Sequence, residues 1–314
     1  MSRNRIVFFG SPDFALPSLE ALAADGESPI AVVTQPDRPA GRGRRPSKPP
    51  VKIWAEARGI PVLQPERVRR KSFREALAEL QPEIGVVVAF GQIIPRSMLE
   101  LPPLGFINVH ASLLPKYRGA APIQWAVING EQVSGVTIQR MVAELDAGDV
   151  LLQAEIAIGP DETAGELHDR LARLGAELLP QAVAGLRAGT LAAEPQAESA
   201  VTLARLLAKE DGRIDWGRDA RSVHDHIRGM SPWPGAFSSW QGKRLSVHRA
   251  RLVQAEGSAG EPGAVVGITD EGLHMACGKG SVALCELQLE GRRRLQCREF
   301  VAGCRVAPGD RLGE

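Results

Sequence analysis

The stretch Phe106–Gln124, which reads FINVHASLLPKYRGAAPIQ, decides how the rest of this chain is interpreted. It opens with apolar residues typical of a buried strand, and Asn108 and His110 follow. Because side chains alternate along a strand, these two polar residues lie on one face. Pro115 keeps the next segment from forming a helix. An amide and an imidazole are therefore predicted at the carboxyl end of a strand, where open α/β sheets bind their ligands.

The residues before this stretch have the pattern of alternating strands and helices. The predicted elements are a strand at Ile6–Phe9, a helix at Phe14–Ala24, a strand at Ile30–Thr34 and a fully buried central strand at Ile84–Ala89. This order predicts an α/β fold with a parallel, Rossmann-like sheet that has helices on its faces. The first turn lacks the pattern G-x-G-x-x-G, so it gives no support for a dinucleotide site.

A second, smaller domain is predicted after a long helix and a polar segment. The helix, Thr163–Ala188, opens with Thr163 and Glu166 in the spacing of a capping box. We predict a catalytic domain at residues 1–189, a linker at 190–207 and a second domain at 208–314. Short alternating runs separated by turns predict a small β-barrel there. Residues 212–216 are predicted to form one of its short strands.

One segment carries most of the charge asymmetry of the chain. The net charge is +1, yet Arg38–Arg74 contains twelve basic residues against the acidic Glu56 and Glu66. Residues 35–50, QPDRPAGRGRRPSKPP, hold too many prolines and glycines for a helix or strand over most of their length. A basic loop in a neutral protein favours a contact with phosphates, and a solvated loop without a partner is the equal alternative.

Several other kinds of site are not expected. The cysteines form no C-x-x-C pair, so we expect free thiols and neither disulfides nor zinc. No apolar run approaches the roughly 20 residues of a membrane span. The first predicted strand begins at Arg5 or Ile6, which leaves no room for a targeting peptide. We therefore expect a cytoplasmic protein that needs no metal, membrane or obligate protein partner and is a monomer.

Asn-x-His, followed by Ser-Leu-Leu-Pro and Arg-Gly-Ala-Ala-Pro-Ile-Gln, resembles the formyltransferases that use 10-formyltetrahydrofolate. The resemblance covers nearly the whole chain and is densest before Asp149. It implies that Asn108, His110 and Asp146 form the catalytic site, although the chain has Glu144 where that family commonly has glycine. It also implies a second domain similar to an oligonucleotide-binding (OB) barrel, whose basic surface faces tRNA.

The resemblance further implies two binding regions. The folate cosubstrate is expected to contact the residues Ser112, Leu113, Leu114, Pro115, Phe90, Gly91 and Ile93. The loop with the sequence PDRPAGRG is expected to contact the acceptor end of methionyl initiator tRNA. Arg42 is the best candidate for that contact, with Arg44, Arg45 and Lys48 in support.

The implied reaction passes the formyl group of 10-formyltetrahydrofolate to the α-amine of methionyl initiator tRNA. Attack of the amine creates an oxyanion, to which Asn108 can donate a hydrogen bond, as can protonated His110. An α-amine titrates near ~7.7, so no strong base is needed. Asp146 can hold His110 in one tautomer, favour its charged form, or take the proton through water. We expect no covalent intermediate.

Two other interpretations stay open. The first is a folate-dependent formyltransferase for another amine, such as an amino-sugar nucleotide or glycinamide ribonucleotide. Such an enzyme has no reason to carry both the PDRPAGRG loop and an OB-like second domain. The second is an RNA-binding protein that has lost activity. The intact Asn108, His110 and Asp146 argue against it.

Overall fold

The computed structural model of the protein describes residues 5–40 and 45–313. The chain divides into two compact units. The first comprises Met1–Gly119, Gly135–Ile156 and His168–Leu203, and the second Ala120–Ser134, Ala157–Leu167 and Ala204–Glu314. Two segments that precede residue 168 therefore belong to the second unit. The boundaries predicted from the sequence, 1–189, 190–207 and 208–314, stay a prediction.

Strands and helices alternate through the first two thirds of the chain. The strands there are β1 (Ile6–Gly10), β2 (Ala31–Val33), β3 (Arg38–Ala40), β4 (Arg45–Ser47), β5 (Val62–Leu63), β6 (Ile84–Val88), β7 (Phe106–His110), β8 (Arg118–Gly119), β9 (Val133–Arg140) and β10 (Val150–Ala157). The helices are α1 (Leu16–Ala24), α2 (Pro50–Glu56), α3 (Lys71–Glu79), α4 (Arg96–Leu99), α5 (Pro122–Ile128) and α6 (Ala164–Ala188).

In the described residues after α6, strands outnumber helices. The strands are β11 (Leu203–Ala204), β12 (Ala236–Trp240), β13 (Lys243–Gln254), β14 (Val265–Thr269), β15 (Gly272–Ala276), β16 (Ser281–Leu289) and β17 (Leu295–Gln296). The helices are α7 (Ala220–Gly229) and α8 (Cys297–Cys304). The predicted strand at residues 212–216 is wrong. Gly212 ends a 3-10 turn, Lys209–Gly212, which the Asp211 carboxylate fixes by accepting hydrogen bonds from the Ala208 amide and the Arg205 guanidinium. Arg213 forms an isolated bridge with Phe237, and no strand spans residues 212–216.

The first unit is organised around a sheet with the strand order β10-β9-β7-β6-β1-β2-β5. The five strands from β7 to β5 are parallel, as predicted for a Rossmann-like fold. β1 and β6 are buried along their whole length, which confirms the interpretation of their unbroken apolar runs. β9 pairs with β7 in the antiparallel direction, so the sheet is mixed at this side.

Close packing fixes β7, the strand that carries Asn108 and His110. The ring of Phe106 lies against the backbone of Gly85 on β6, where an added Cβ would stand 2.3 Å from ring atoms. Phe9 meets the rings of Phe106 and Phe90 edge to face, with centroids 5.4 and 5.3 Å apart. Interiors packed this closely tolerate little displacement. The carboxyl end of β7 is therefore a rigid place for functional side chains.

The second unit is built on an antiparallel sheet, with the path β12-β13-β16-β15-β14 and β17 paired to β16. The antiparallel strands confirm the predicted architecture of this part. Within the described residues, no pairing joins β12 to β14, the two ends of the path, so a closed barrel is not detected. α7 packs on this sheet through apolar residues such as Val223 and Ile227.

The basic loop contains more regular structure than its composition predicts. β3 and β4 form a short antiparallel ribbon, in which Pro39 stands opposite Pro46. Since the two prolines face each other, neither removes a donor from the neighbouring pairs, Arg38 with Ser47 and Ala40 with Arg45. The prediction that most of residues 35–50 form neither helix nor strand therefore does not extend to the two arms of this ribbon, Arg38–Ala40 and Arg45–Ser47.

The predicted capping box at the start of α6 is confirmed. Thr163 Oγ1 accepts a hydrogen bond from the Glu166 amide at 3.2 Å, and Glu166 Oε2 accepts one from the Thr163 amide at 2.9 Å. We expect Thr163→Ala to lower the free energy of unfolding by about 1 kcal/mol, because the first turn loses a capping acceptor. Urea unfolding measures this loss. Thr190→Ala, which removes an exposed hydroxyl, is the control, and an equal loss in both variants would contradict the capping role.

Candidate active site

The hydrogen bonds of His110 define its tautomer. Its Nε2 lies 3.0 Å from the backbone oxygen of Tyr117. A carbonyl oxygen only accepts, so Nε2 carries a proton and donates it to this bond. In the neutral ring, Nδ1 is therefore the nitrogen with a free lone pair. The geometry assigns this nitrogen as the one that is able to gain a proton.

The carboxylate of Asp146 faces that nitrogen. Asp146 Oδ1 lies 3.7 Å from His110 Nδ1, which is too long for a hydrogen bond but close for an ion pair. Only 6% of the His110 side chain and 11% of the Asp146 side chain are exposed. Attraction between opposite charges is stronger in such a place than in bulk water. The Asp146 carboxylate therefore faces Nδ1 of His110 in a largely buried place.

Asp146 is held by its neighbours in an uncommon backbone conformation. Its φ is +51°, in the left-handed region. Its Oδ2 accepts a hydrogen bond from the Gly119 amide at 2.9 Å, and its Oδ1 accepts one from Gln139 Nε2 at 3.1 Å. Tyr117, whose carbonyl binds His110, and Ala89, which follows β6, also have positive φ, at 62° and 49°. Such conformations persist where the surrounding structure fixes them, and they cluster at functional sites.

Asn108 completes this group of polar residues. It stands on β7 directly opposite Gln139 of β9, and His110 stands opposite Thr137. Asn108 is partly exposed, whereas His110 is buried. The structure thus brings the three residues that the sequence predicts as catalytic onto β7 and the loop that follows β9.

The Ser112–Pro115 loop is fixed by a polar network. Thr137 Oγ1 donates to the Ser112 carbonyl at 2.7 Å and accepts from the Leu114 amide at 3.1 Å. Gln153 Nε2 donates to the Leu114 carbonyl at 3.0 Å. Ser112 and Leu114 are buried, and Leu113 and Pro115 are half-buried. These hydrogen bonds therefore fix the backbone of this loop, which follows His110 in the sequence.

The other residues predicted to bind folate differ in exposure. The ring of Phe90 is buried against Phe9, so a ligand can meet only the backbone of Phe90. Gly91 is exposed and has a φ of +82°. Ile93 is 80% exposed, and Leu145, which precedes Asp146, is 64% exposed. Two large apolar side chains thus stand in solvent, one before α4 and one beside Asp146.

Arg96, at the start of α4, bonds to Glu100 at 2.8 Å. This contact, with a further contribution from the charge of Glu144, raises the pKa of Arg96.

The candidates for tRNA contact are only partly described. Arg42, Arg44 and the side chain of Arg45 lie outside the described residues. Lys48 is half-exposed and pairs with Glu56 at 2.6 Å, a contact that raises the pKa of the lysine.

The base of the same loop is anchored. Asp37 accepts hydrogen bonds from Gln64 Nε2 at 2.8 Å and from Lys52 Nζ, contacts that lower the pKa of its carboxyl. Gln64 Nε2 also donates to the Gln35 carbonyl at 2.9 Å. The ribbon of β3 and β4 is thus attached firmly at the end where it leaves the sheet.

Three further residues belong to the site and escaped prediction. Gln139, Arg118 and Gln196 each take part in hydrogen bonds that lead to Asp146. The sequence signal for Arg118 was its position in the motif Arg-Gly-Ala-Ala-Pro-Ile-Gln. Gln196 lies in a polar segment that the sequence presents as a linker, and a lone glutamine there carries no local pattern.

Two of the four cysteines, Cys277 and Cys297, are buried. Burial raises the pKa of the Cys277 thiol to about 12 and that of Cys297 to about 11, so both stay protonated. Within residues 5–40 and 45–313, no group of three or more His, Cys, Asp or Glu side chains could hold a metal ion. No helix in this described part is long and apolar enough to cross a membrane.

Gly148 offers a test of the loop that carries Asp146. A Cβ added there would stand 1.8 Å from the Arg140 carbonyl oxygen, so Gly148→Ala must displace the loop. We expect its kcat to fall by about 100-fold, because misplacement near 1 Å suffices for that loss. Steady-state kinetics of formyl transfer measure the effect. Gly303→Ala, where no atom lies within 4 Å, is the control, and unchanged kcat in Gly148→Ala would contradict the placement.

Comparisons with known proteins agree with this geometry. The family described as formyl transferase matches residues 4–183, and the formyl transferase C-terminal domain matches residues 206–305. The methionyl-tRNA formyltransferase of Geobacter metallireducens is 50% identical over 313 residues, which is 100% of both chains. That of Pelobacter propionicus is 51% identical, over 100% of this chain and 97% of its own.

Solved structures extend the comparison to the fold. An N-formyltransferase from Helicobacter canadensis, crystallised with folinic acid and dTDP-3-aminofucose, superimposes with a TM-score of 0.68. It is 18% identical, and the match covers 89% of this chain and 98% of that one. Since both domain families and the full-length relatives match, this chain belongs to the formyl transferase family and, within it, to the family of the methionyl-tRNA formyltransferases.

Proposed function

We propose that this protein transfers the formyl group of 10-formyltetrahydrofolate to the α-amine of methionyl initiator tRNA, giving N-formylmethionyl-tRNA for translation initiation. The observation that carries the proposal is the position of His110 between the Tyr117 carbonyl and the Asp146 carboxylate, with Asn108 on the same strand. The relatives at about half identity over the full chain support the acceptor. Such a reaction belongs in the cytoplasm, where translation begins.

The exposed residues near this group suit a folate. A reduced pterin is a pair of fused rings with apolar faces and an edge of amino, N–H and carbonyl groups. Ile93 and Leu145 offer apolar contacts, and the backbones of Phe90 and Gly91 offer polar ones. The ordered Ser112–Pro115 loop provides a further wall. Bound there, 10-formyltetrahydrofolate supplies the formyl carbon that the amine attacks.

Asn108 serves as the hydrogen-bond donor in this proposal. Its amide stands at the partly exposed end of β7, where a bound formyl group can meet it. Negative charge develops on the formyl oxygen as the amine attacks. A donor already in place at that oxygen stabilises the charge without reorganisation, and this is often the largest contribution to such a reaction.

His110 and Asp146 serve to move the proton. The attacking amine must lose a proton, and His110 Nδ1 is the nitrogen with a free lone pair. The imidazolium formed at Nδ1 then faces the Asp146 carboxylate, 3.7 Å away. The bond from Nε2 to Tyr117 keeps the ring in one orientation throughout. His110 can later return the proton to the leaving nitrogen.

The basic loop provides the contact with tRNA. Its base is anchored to the first unit through Asp37. Phosphates of an acceptor stem are the ligands that Arg42, Arg44, Arg45 and Lys48 suit best. A monomer without an obligate protein partner stays our prediction.

The direct test offers labelled 10-formyltetrahydrofolate together with methionyl initiator tRNA or methionyl elongator tRNA. We expect label on the initiator species. Label on neither would contradict the proposal, and an amino-sugar nucleotide would then be offered as acceptor. That outcome would favour the alternative of another amine substrate.

Asn108→Ala tests the donor. We expect kcat to fall by roughly 100-fold or more, because the developing oxyanion loses its hydrogen bond. The kcat of Asn108→Asp, which keeps the size of the side chain but removes the donor, should fall equally. Asn129→Ala is the control, and circular dichroism should show that all three variants fold alike. A near-normal kcat in Asn108→Ala would contradict the role.

Arg42→Ala tests the tRNA contact. Each cation bound to phosphate releases counterions, so we expect KM for tRNA to rise and its dependence on salt to become shallower. Initial rates between low and high salt measure that slope. Arg173→Ala, an exposed arginine on α6, should keep both values. An unchanged slope in Arg42→Ala would show that this loop does not bind the phosphates.

A further inference from the structure

Gln196 lies in the polar segment that follows α6, yet its amide reaches the loop that carries Asp146. Its Nε2 donates to the Asp146 carbonyl at 2.8 Å and to the Gly148 carbonyl at 2.7 Å. Both protons of the Gln196 side-chain amide are thus donated to backbone carbonyls of that loop. A third, longer contact of 3.4 Å joins Nε2 to Gln139 Oε1.

The orientation of this amide is fixed by Arg118. Arg118 Nε donates to Gln196 Oε1 at 3.0 Å, and Arg118 Nη2 pairs with Glu198 at 2.9 Å. A guanidinium only donates and a backbone carbonyl only accepts, so oxygen must face Arg118 and nitrogen must face the loop. The Arg118 side chain is only 9% exposed, which makes each of its hydrogen bonds costly to lose.

The segment itself is held in place. Glu194 and Val150 exchange backbone hydrogen bonds in both directions, at 2.8 and 2.9 Å, so the residues before Gln196 run beside the start of β10. Gln196 therefore acts from a fixed point. Its partners are the carbonyls on either side of Ala147, immediately after the carboxylate that faces His110.

We infer that Gln196 is a positioning residue for formyl transfer, which acts by holding Asp146 opposite His110. Asp146 has a left-handed φ of +51°, a conformation that is uncommon for residues other than glycine and costs free energy. The carboxylate is supported by Gly119 and Gln139, and the backbone carbonyl by Gln196. Without Gln196, the backbone is free to relax and to turn the carboxylate away. The inference rests on the proposed function, because Asp146 serves the proton transfer there.

Gln196→Met tests the inference, since methionine has the length of glutamine and cannot donate. We expect kcat to fall by at least about 10-fold, as for other small displacements of a reacting group, and KM for tRNA to stay within about twofold. Gln181→Met is the matched control, because that side chain is exposed and donates to the carbonyl of Glu177 in its own helix. A kcat of Gln196→Met equal to that of the control would overturn the inference.

A double-mutant cycle separates positioning from a general loss of structure. If Gln196 acts through Asp146, Gln196→Met should cause no further loss of kcat in an Asp146→Ala background. Losses that multiply would show that Gln196 acts independently of Asp146 and would overturn the inference.

Hydrogen exchange gives a readout that needs no activity. The Gly119 amide donates to Asp146 Oδ2, so its exchange should become faster in Gln196→Met and stay unchanged in Gln181→Met. If the unmodified chain transferred no formyl group, the proposed function would fail, and this readout would still decide whether Gln196 positions Asp146. Unchanged exchange of Gly119 would contradict that role.

Discussion

The hydrogen bond from His110 Nε2 to the Tyr117 carbonyl is the constraint on which the rest of the site depends. It occupies one ring nitrogen and leaves the other without a proton in the neutral ring. The Asp146 carboxylate faces that second nitrogen. In the proposed mechanism, Nδ1 gains the proton from the amine, and the carboxylate beside it stabilises the charge.

The two residues that contact the ring of His110 adopt backbone conformations that cost free energy. Tyr117 and Asp146 both have left-handed backbones, and each contributes a contact to His110. Phe106 packs against Gly85 within the sheet, and Gln196 donates a hydrogen bond to the backbone of the loop that carries Asp146. Backbone strain that well-packed neighbours maintain is one way in which proteins preorganise a reacting group.

Much of this could be predicted from the sequence, because the signals were local. The apolar run of β6 and the capping box of Thr163 with Glu166 depend on residues a few positions apart. Gln196 could not be predicted, because its partners lie about 50 positions away and a single amide has no periodicity. The burial of the Phe90 ring escaped for the same reason, since it depends on Phe9 of a different strand. Tertiary contacts of this kind are visible only in the fold.

The tautomer of His110 tests the central claim most directly. Nitrogen-15 NMR of the histidine-labelled protein distinguishes a protonated from an unprotonated ring nitrogen, and His110→Gln assigns the signal among the six histidines. At a pH where the ring is neutral, we predict that Nε2 carries the proton and that Nδ1 does not. A neutral ring protonated at Nδ1 would contradict the claim, because the nitrogen facing Asp146 could then no longer accept a proton from the amine.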